Sequence, residues 1–496
     1  MKEKLKKIIK LLPLIISSYG MALTIYMRIV FMNVDFEQLL FSALKIKGMS
    51  LSGIYQGTFF TVLGGSLLLG AYLFIYKLVK KSKKNIILKF EKGNKKRQIK
   101  LFPFKFKYYS ICILIVSLIY FLVDFGVIKY IVDNLTKTSF YEKYYVDASK
   151  ISLSFPENKQ NLIYIFLESM ETTNASIKNG GALNESIIPN LEYIALNNDH
   201  FSNTDKLGGM LRTYGTSYTV ASLVSQTSGI SYRFSIDEDE EYPTFKGLTT
   251  IGDILLKEGY KNYFMLGSDS QYAGRKDYFL NHGNYEIFDY NEAKKQGLID
   301  EDYYVWWGYE DLKLYSFAKE KLLEISKRNE PFNFTMLTVD THFIGGYMDE
   351  KCELKYEDDY SNAISCSDKK VYEFIEWIKK QEFYENTTIV IVGDHLTMQS
   401  NFYKDIDKNY DRVIYNAIIN SRVNSVHSKN RNFGAMDMFP TTLAALGVKI
   451  EGERLGLGTN LYSNKKTLIE ELGYDYFNDE LAKKSKFYKE KILGNY

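Results

Sequence analysis

The chain has 496 residues, with 63 Lys or Arg against 60 Asp or Glu and a formal net charge of +3. That length excludes a single small core. The near-balanced total hides a split: residues 1–131 carry 22 Lys or Arg against 5 Asp or Glu, which leaves residues 132–496 net negative and excludes one uniform environment for the whole chain.

Taken in chain order, the first elements are three apolar stretches at roughly 11–32, 56–79 and 108–131, each near the ~20 residues that cross a bilayer. The segment before the first holds five lysines, and the connection from Lys80 to Lys107 holds twelve Lys or Arg against the single acid Glu91. Both are expected on the cytoplasmic side, and the charge-balanced loop 33–54 outside. Three crossings then place residues 132–496 outside. A signal peptide is the competing reading of residues 1–32, but two further spans and no small-residue cleavage site argue against it. Outside the cytoplasm a disulfide between Cys352 and Cys366 is permitted and expected.

Residues 132–159 are polar and mixed and read as a juxtamembrane linker; residues 464–496 are a C-terminal tail whose Lys-rich stretch, 481–496, reads as a solvated terminal helix. Between them, residues 160–463 alternate strand-like apolar runs with helix-like stretches, which predicts an α/β domain with a mainly parallel sheet. Three of those runs, 161–169, 332–342 and 387–395, end in groups able to bind metal or phosphate: Glu168, His342, and the pair Asp394 and His395. In a parallel sheet, ligands gather outside the carboxyl ends of the strands, so three runs that stop alike point to one shared site. Carboxylate and imidazole donors suit a divalent ion, and the residue types do not choose among Mn²⁺, Mg²⁺ and Zn²⁺.

A nucleophile is expected in RTYGTSYTVASLVSQTSGIS, residues 212–231, where Gly215 permits a turn before a helix-like stretch. A hydroxyl at a helix N-terminus faces backbone N–H groups that suit a phosphoryl oxygen. Spacing does not decide among Thr213, Thr216, Ser217 and Thr219. The adjacent Trp306 and Trp307 are read as core packing, with stacking on a sugar as the alternative.

These blocks together resemble the membrane phosphoglycerol transferases: Glu at the first strand end, G-T-S-Y-T, L-T-V-D-T-H, V-G-D-H, and MDMFPTTLAALGVKIEGERLGLGTNL. The likeness is greatest to the phosphoglycerol transferase I branch. Lipoteichoic acid synthases are more distant, and both belong to the alkaline phosphatase and sulfatase superfamily. The resemblance implies an α-helical membrane anchor followed by an alkaline phosphatase/sulfatase-like α/β domain in a bacterial plasma membrane. It makes Thr216, which follows Gly215, the nucleophile, and gives a metal, Mn²⁺ first, to Glu168, Thr216, Asp394 and His395. It places His342 and Arg275 at the phosphate or glycerol, with Lys276 competing with Arg275 and His282 a further substrate candidate. The implied donor is phosphatidylglycerol, the acceptor a glucan or surface polysaccharide, and no nucleic acid is expected as a partner. A phosphoethanolamine transferase or a metal-dependent hydrolase of the same superfamily is the alternative. Leu266 and Tyr272 or Ala273 stand where lipoteichoic acid synthases carry histidine and tryptophan.

Overall fold

The computed structural model describes residues 2–30, 34, 36–44, 51–81, 86–92, 95–102, 106–233 and 242–494. The chain falls into two compact units, one of residues 1–40 and 50–131, the other of residues 41–49 and 132–496.

In the first unit, α1 (Lys2–Val30), α2 (Leu51–Lys81) and α3 (Phe106–Asp124) contain the three helices among the described residues that are long and apolar enough to cross a membrane. The expected third span is shorter than its apolar run. It stops at Asp124 because Gly126 takes a left-handed conformation, φ +64°, and a separate helix, α4 (Val127–Leu135), follows. Two charged residues in this apolar setting pair with each other, Arg28 Nε donating to Asp124 Oδ2 at 2.5 Å.

The second unit is built on a six-stranded sheet of β1 (Asn161–Leu167), β2 (Lys261–Leu266), β3 (Glu286–Phe288), β4 (Phe332–Leu337), β5 (Thr387–Gly393) and β6 (Asn416–Ile419). The spatial order is β6-β5-β1-β4-β2-β3, and every pairing is parallel except that of β6 with β5. The α/β domain with a mostly parallel sheet is therefore as expected. β1, β4 and β5 are buried along their whole lengths, which explains why they read as unbroken apolar runs rather than alternating ones. Ile163 and Ile165 pack in one core cluster with residues of three helices, α5 (Pro189–Asn197), α7 (Asp311–Ile325) and α8 (Asp359–Ile378). Tyr164, on the opposite face, donates to Gln226 of α6 (Thr219–Ser228), so helices cover both sides.

Two expectations about the margins fail. Residues 137–138 pair in parallel with residues 484–485, and Tyr141 packs edge-on to Tyr488 at 5.1 Å. In the tail, Phe477, Leu481, Tyr488 and Ile492 are buried. The lysines of that segment mask apolar residues spread over two short helical pieces, 474–482 and 488–492, so the supposed linker and solvated tail are both part of the domain. Cys352 and Cys366 form the expected disulfide.

Candidate active site

Strand register sets the site. Leu167 of β1 pairs with Gly393 of β5, and Phe166 with Leu337 of β4, so Glu168, Asp394 and Thr338 leave neighbouring strands side by side. Glu168 N donates to Thr338 Oγ1 at 2.9 Å and Asp394 N to the Leu167 carbonyl at 3.1 Å, which fixes both acids. Gly393 is required by space: a Cβ there would lie 2.0 Å from the Met170 carbonyl oxygen.

Glu168, Asp394 and His395 each bring a ligand atom within 4.8 Å of the others, and all three are buried. His395 Nε2 lies 3.6 Å from Glu168 Oε1 and 3.4 Å from Asp394 Oδ2. The other ring nitrogen, Nδ1, is 2.9 Å from the Leu396 carbonyl, which can only accept, so Nδ1 carries the proton and Nε2 of the neutral ring presents a lone pair. Asp394 Oδ1 accepts from the N–H groups of Ser169 and His395, each at 2.7 Å, while Oδ2 is buried with no hydrogen-bond partner among the described residues. Lone pairs thus converge on one spot.

The electrostatics carry the same strain. Burial, reinforced by the Glu168 charge, raises the Asp394 carboxyl to about 7 despite His395 beside it. Burial opposes ionisation of Glu168 too, but the His395 and His342 imidazoles outweigh it and hold that carboxyl below its ordinary value. For His395, burial works against the charge, yet Asp394 and Glu168 prevail and raise its pKa. Two buried carboxylates and an imidazole lone pair with an unpaired oxygen form a donor set suited to a divalent cation.

Thr219, not Thr216, faces this cluster. Gly215 adopts φ +72°, where a Cβ would lie 2.2 Å from Ser231 Oγ, and Tyr218 is extended, so α6 begins at Thr219. Thr219 Oγ1 is 3.3 Å from Glu168 Oε2 and 3.4 Å from His395 Nε2, and the residue is half-buried. Thr216 is fully buried, and its hydroxyl is bonded within the turn to the Thr213 carbonyl at 2.8 Å. The assignment of Thr216 to the cluster is corrected accordingly. Locating a helix start three residues downstream required the turn geometry, which the letters G-T-S-Y-T do not carry.

Arg275 follows Gly274 at the start of a seven-residue helix and is buried. Its Nη2 donates to the Asp269 carbonyl at 2.7 Å and its Nε to the Tyr272 carbonyl at 3.0 Å, while Nη1 has no acceptor among the described residues. Burial lowers its pKa, opposed by nearby groups that include Glu168, which places the guanidinium within electrostatic reach of the cluster. His342 lies there as well: burial depresses its pKa against the pull of Glu168, and Arg275 and His395 depress it further. His342 Nδ1 is 2.6 Å from the Phe343 carbonyl, so in the neutral ring Nε2 holds the lone pair.

Two other candidates fall away from this centre. Lys276 lines a separate cavity of about 690 Å³ with Glu286, Asp289 and Glu292, because consecutive residues at a helix start point in different directions. His282 is buried with both ring nitrogens engaged, Nδ1 at 3.2 Å from Asp253 Oδ2 and Nε2 at 2.9 Å from the Thr244 carbonyl. It is a structural tie. The two tryptophans depart from their expectation too: both are half-buried, outside the core, and Trp307 lies 4.6 Å from the His342 ring, centroid to centroid.

Comparison with known proteins agrees with this architecture. Residues 160–448 match the family model for sulfatases. Phosphoglycerol transferase I of Escherichia coli is 31% identical over 278 residues, which cover 53% of this chain and 34% of that protein. Its counterpart from Citrobacter koseri is 32% identical over the same shares. The chain thus spans about a third of the length of these curated relatives. The crystal structure of the lipoteichoic acid synthase LtaP from Listeria monocytogenes shares the fold, with a TM-score of 0.50 and 21% identity over 63% of this chain and 79% of that one.

Proposed function

The chain belongs to the sulfatase family, and we propose that it transfers sn-glycerol 1-phosphate from phosphatidylglycerol, through a covalent threonine intermediate, to a hydroxyl of a glucan or surface polysaccharide. The observation that carries this reading is the Thr219 hydroxyl at the first residue of α6, beside Glu168 and His395. The likeness to phosphoglycerol transferase I supports the donor and the group moved. The basic flanks of the apolar helices support a multi-pass plasma-membrane protein whose second unit is extracytoplasmic.

Glu168, Asp394, His395 and Thr219 would hold one divalent ion, proposed as Mn²⁺. Such an ion, when bound, lowers the pKa of a coordinated hydroxyl and offsets phosphate charge. Thr219 Oγ1 forms a bond to phosphorus as the bond from phosphorus to the diacylglycerol oxygen breaks. Thr219 loses its hydroxyl proton and the departing oxygen gains one, so this half-reaction conserves protons. N–H groups at the start of α6 and the Nη1 of Arg275 would balance the charge of the phosphoryl oxygens. In the second half-reaction a sugar hydroxyl attacks phosphorus and gives its proton to His342 Nε2 as the bond from phosphorus to the Thr219 oxygen breaks; that proton is then returned to the Thr219 oxygen, so this half-reaction also conserves protons.

Incubation of the full-length protein with head-group-labelled phosphatidylglycerol tests the reading. Label is expected on the protein, to be lost by at least about 10³-fold in Thr219→Ala and retained in Thr216→Ala. Full turnover by Thr219→Ala would overturn the nucleophile. Release of free glycerol phosphate without any acceptor would replace transfer with hydrolysis.

A further inference from the structure

Residues 305–308, Val-Trp-Trp-Gly, form a tight turn in which Val305 N donates to the Gly308 carbonyl at 2.8 Å and Gly308 N to the Val305 carbonyl at 2.9 Å. Trp306 occupies it with φ +59°, a conformation that costs a bulky residue free energy and is ordinarily left to glycine. Its indole Nε1 is also buried without an acceptor among the described residues. Neither tryptophan repays this by joining the core. Strain of this kind persists where the surroundings hold it, and it points to a use for the side chains it displays.

The turn is held against the active site. Tyr309 N donates to the Gly267 carbonyl at 2.9 Å, and Gly308 bridges Ser268, so the turn is fastened to the segment that leaves β2 and leads to Arg275. Trp307 then stands between two site residues, with its ring centroid 4.6 Å from that of His342 and 6.0 Å from that of Tyr272. The Arg275 guanidinium in turn lies over Tyr272 at 5.5 Å. The result is a continuous wall, Arg275, Tyr272, Trp307, His342, that runs from the proposed phosphoryl-binding cation to the proposed base. Trp307 is half-buried, and its indole N–H has no acceptor among the described residues.

We propose that this turn is the acceptor platform, with Trp307 stacking on a sugar ring of the glycan whose hydroxyl receives the phosphoglycerol group; the proposal rests on the transferase reading above. A pyranose ring offers an apolar C–H face and a rim of hydroxyls, which matches an indole face with a free N–H at its edge. A glycerol head group has no ring face to cover, and acyl chains call for a wall without the Arg275 charge and the polar His342 ring. Seated on Trp307, a sugar hydroxyl is adjacent to His342, the residue assigned to take its proton.

The test separates the half-reactions in the full-length protein, with head-group-labelled phosphatidylglycerol as donor and gluco-oligosaccharides as acceptor. Trp307→Ala is expected to trap label on Thr219 as the unchanged protein does, but to show a KM for the oligosaccharide about tenfold higher with kcat little altered. Trp307→Phe, which keeps a ring face, should recover most of that loss. Trapping reduced as much as transfer would assign Trp307 to the donor or to folding, and an unchanged acceptor KM would remove it from the site; either overturns the platform. If the unchanged protein traps no label, the transferase reading fails on its own. Saturation-transfer NMR with the same oligosaccharides then decides the platform: binding that Trp307→Ala abolishes supports it, and no binding to the unchanged protein overturns it.

Discussion

Glu168 and Glu171 are three residues apart, both buried, and their surroundings are opposite. Glu171 is fully compensated. Arg412 grips both of its oxygens, one of them from Nε at 2.9 Å, while Thr397 N and Thr173 Oγ1 donate at 2.9 and 2.8 Å. Glu168 receives hydroxyl hydrogen bonds from Ser169 and Thr219, but the titratable groups around it are Asp394, whose Oδ2 has no hydrogen-bond partner among the described residues, and the imidazoles of His395 and His342. Burying a carboxylate beside its own cation makes a strut, whereas burying two without one makes a receptor for a cation from solution. Burial alone therefore does not mark the functional acid; the missing resident partner does.

Breaking the strut is expected to have the largest effect on stability. Arg412→Ala leaves Glu171 buried and unpaired, and the unfolding free energy should fall by about 3–5 kcal/mol, measured by urea unfolding of the full-length protein. Because Arg412 also donates to the Thr397 carbonyl, two residues beyond His395, some loss of metal affinity should accompany it. A fall below about 1 kcal/mol would show that the two acids do not differ as argued. Asp394→Asn makes the converse change. Calorimetric titration with Mn²⁺ should show affinity weakened more than about 100-fold, while the metal-free protein unfolds at the same or a higher urea concentration because a repelling charge has gone.

Much of this contrast was legible in the sequence, and the rest was hidden for identifiable reasons. Glu168, Asp394 and His395 announced themselves because strands buried on both faces leave apolar runs, and a charged group at the end of such a run stands out. Arg412 is invisible as the partner of Glu171, since 241 positions separate them and only the fold joins them. Thr219 lay among four hydroxyls in seven residues, and the choice turned on one left-handed glycine and an extended Tyr218. Arg275 and Lys276 are neighbours in sequence, yet Arg275 lies within electrostatic reach of Glu168 while Lys276 lines a separate cavity, a distinction that only the placement of their helix makes. Trp307 reads as core because a large apolar ring gains most from burial, and the strain in its turn is not recorded in composition.

The smallest expected effect tests the uncompensated acids by pH. Asp394 titrates in the folded state at about 7 rather than 3.8, because burial and then the Glu168 charge disfavour its ionised form. The metal-free fold therefore holds a proton that the unfolded chain gives up earlier, and this contribution to stability, complete below 3.8, is lost as pH rises through about 7. A bound cation needs that carboxyl ionised, so binding must expel the proton. Apparent Mn²⁺ affinity should then rise with pH by about tenfold per pH unit for each proton expelled, the Asp394 share of that rise ending at about 7. It should level off only when His395 has also lost its proton, whose pKa burial lowers but Asp394 and Glu168 together raise above 6.5. Glu168→Gln removes the neighbouring charge, so the break should move to lower pH even as overall affinity falls. Calorimetry in buffers of different ionisation enthalpy counts the protons released. Release of none at pH 6 would mean that Asp394 is already ionised there, and that the like-charge conflict separating Glu168 from Glu171 is weaker than the geometry requires.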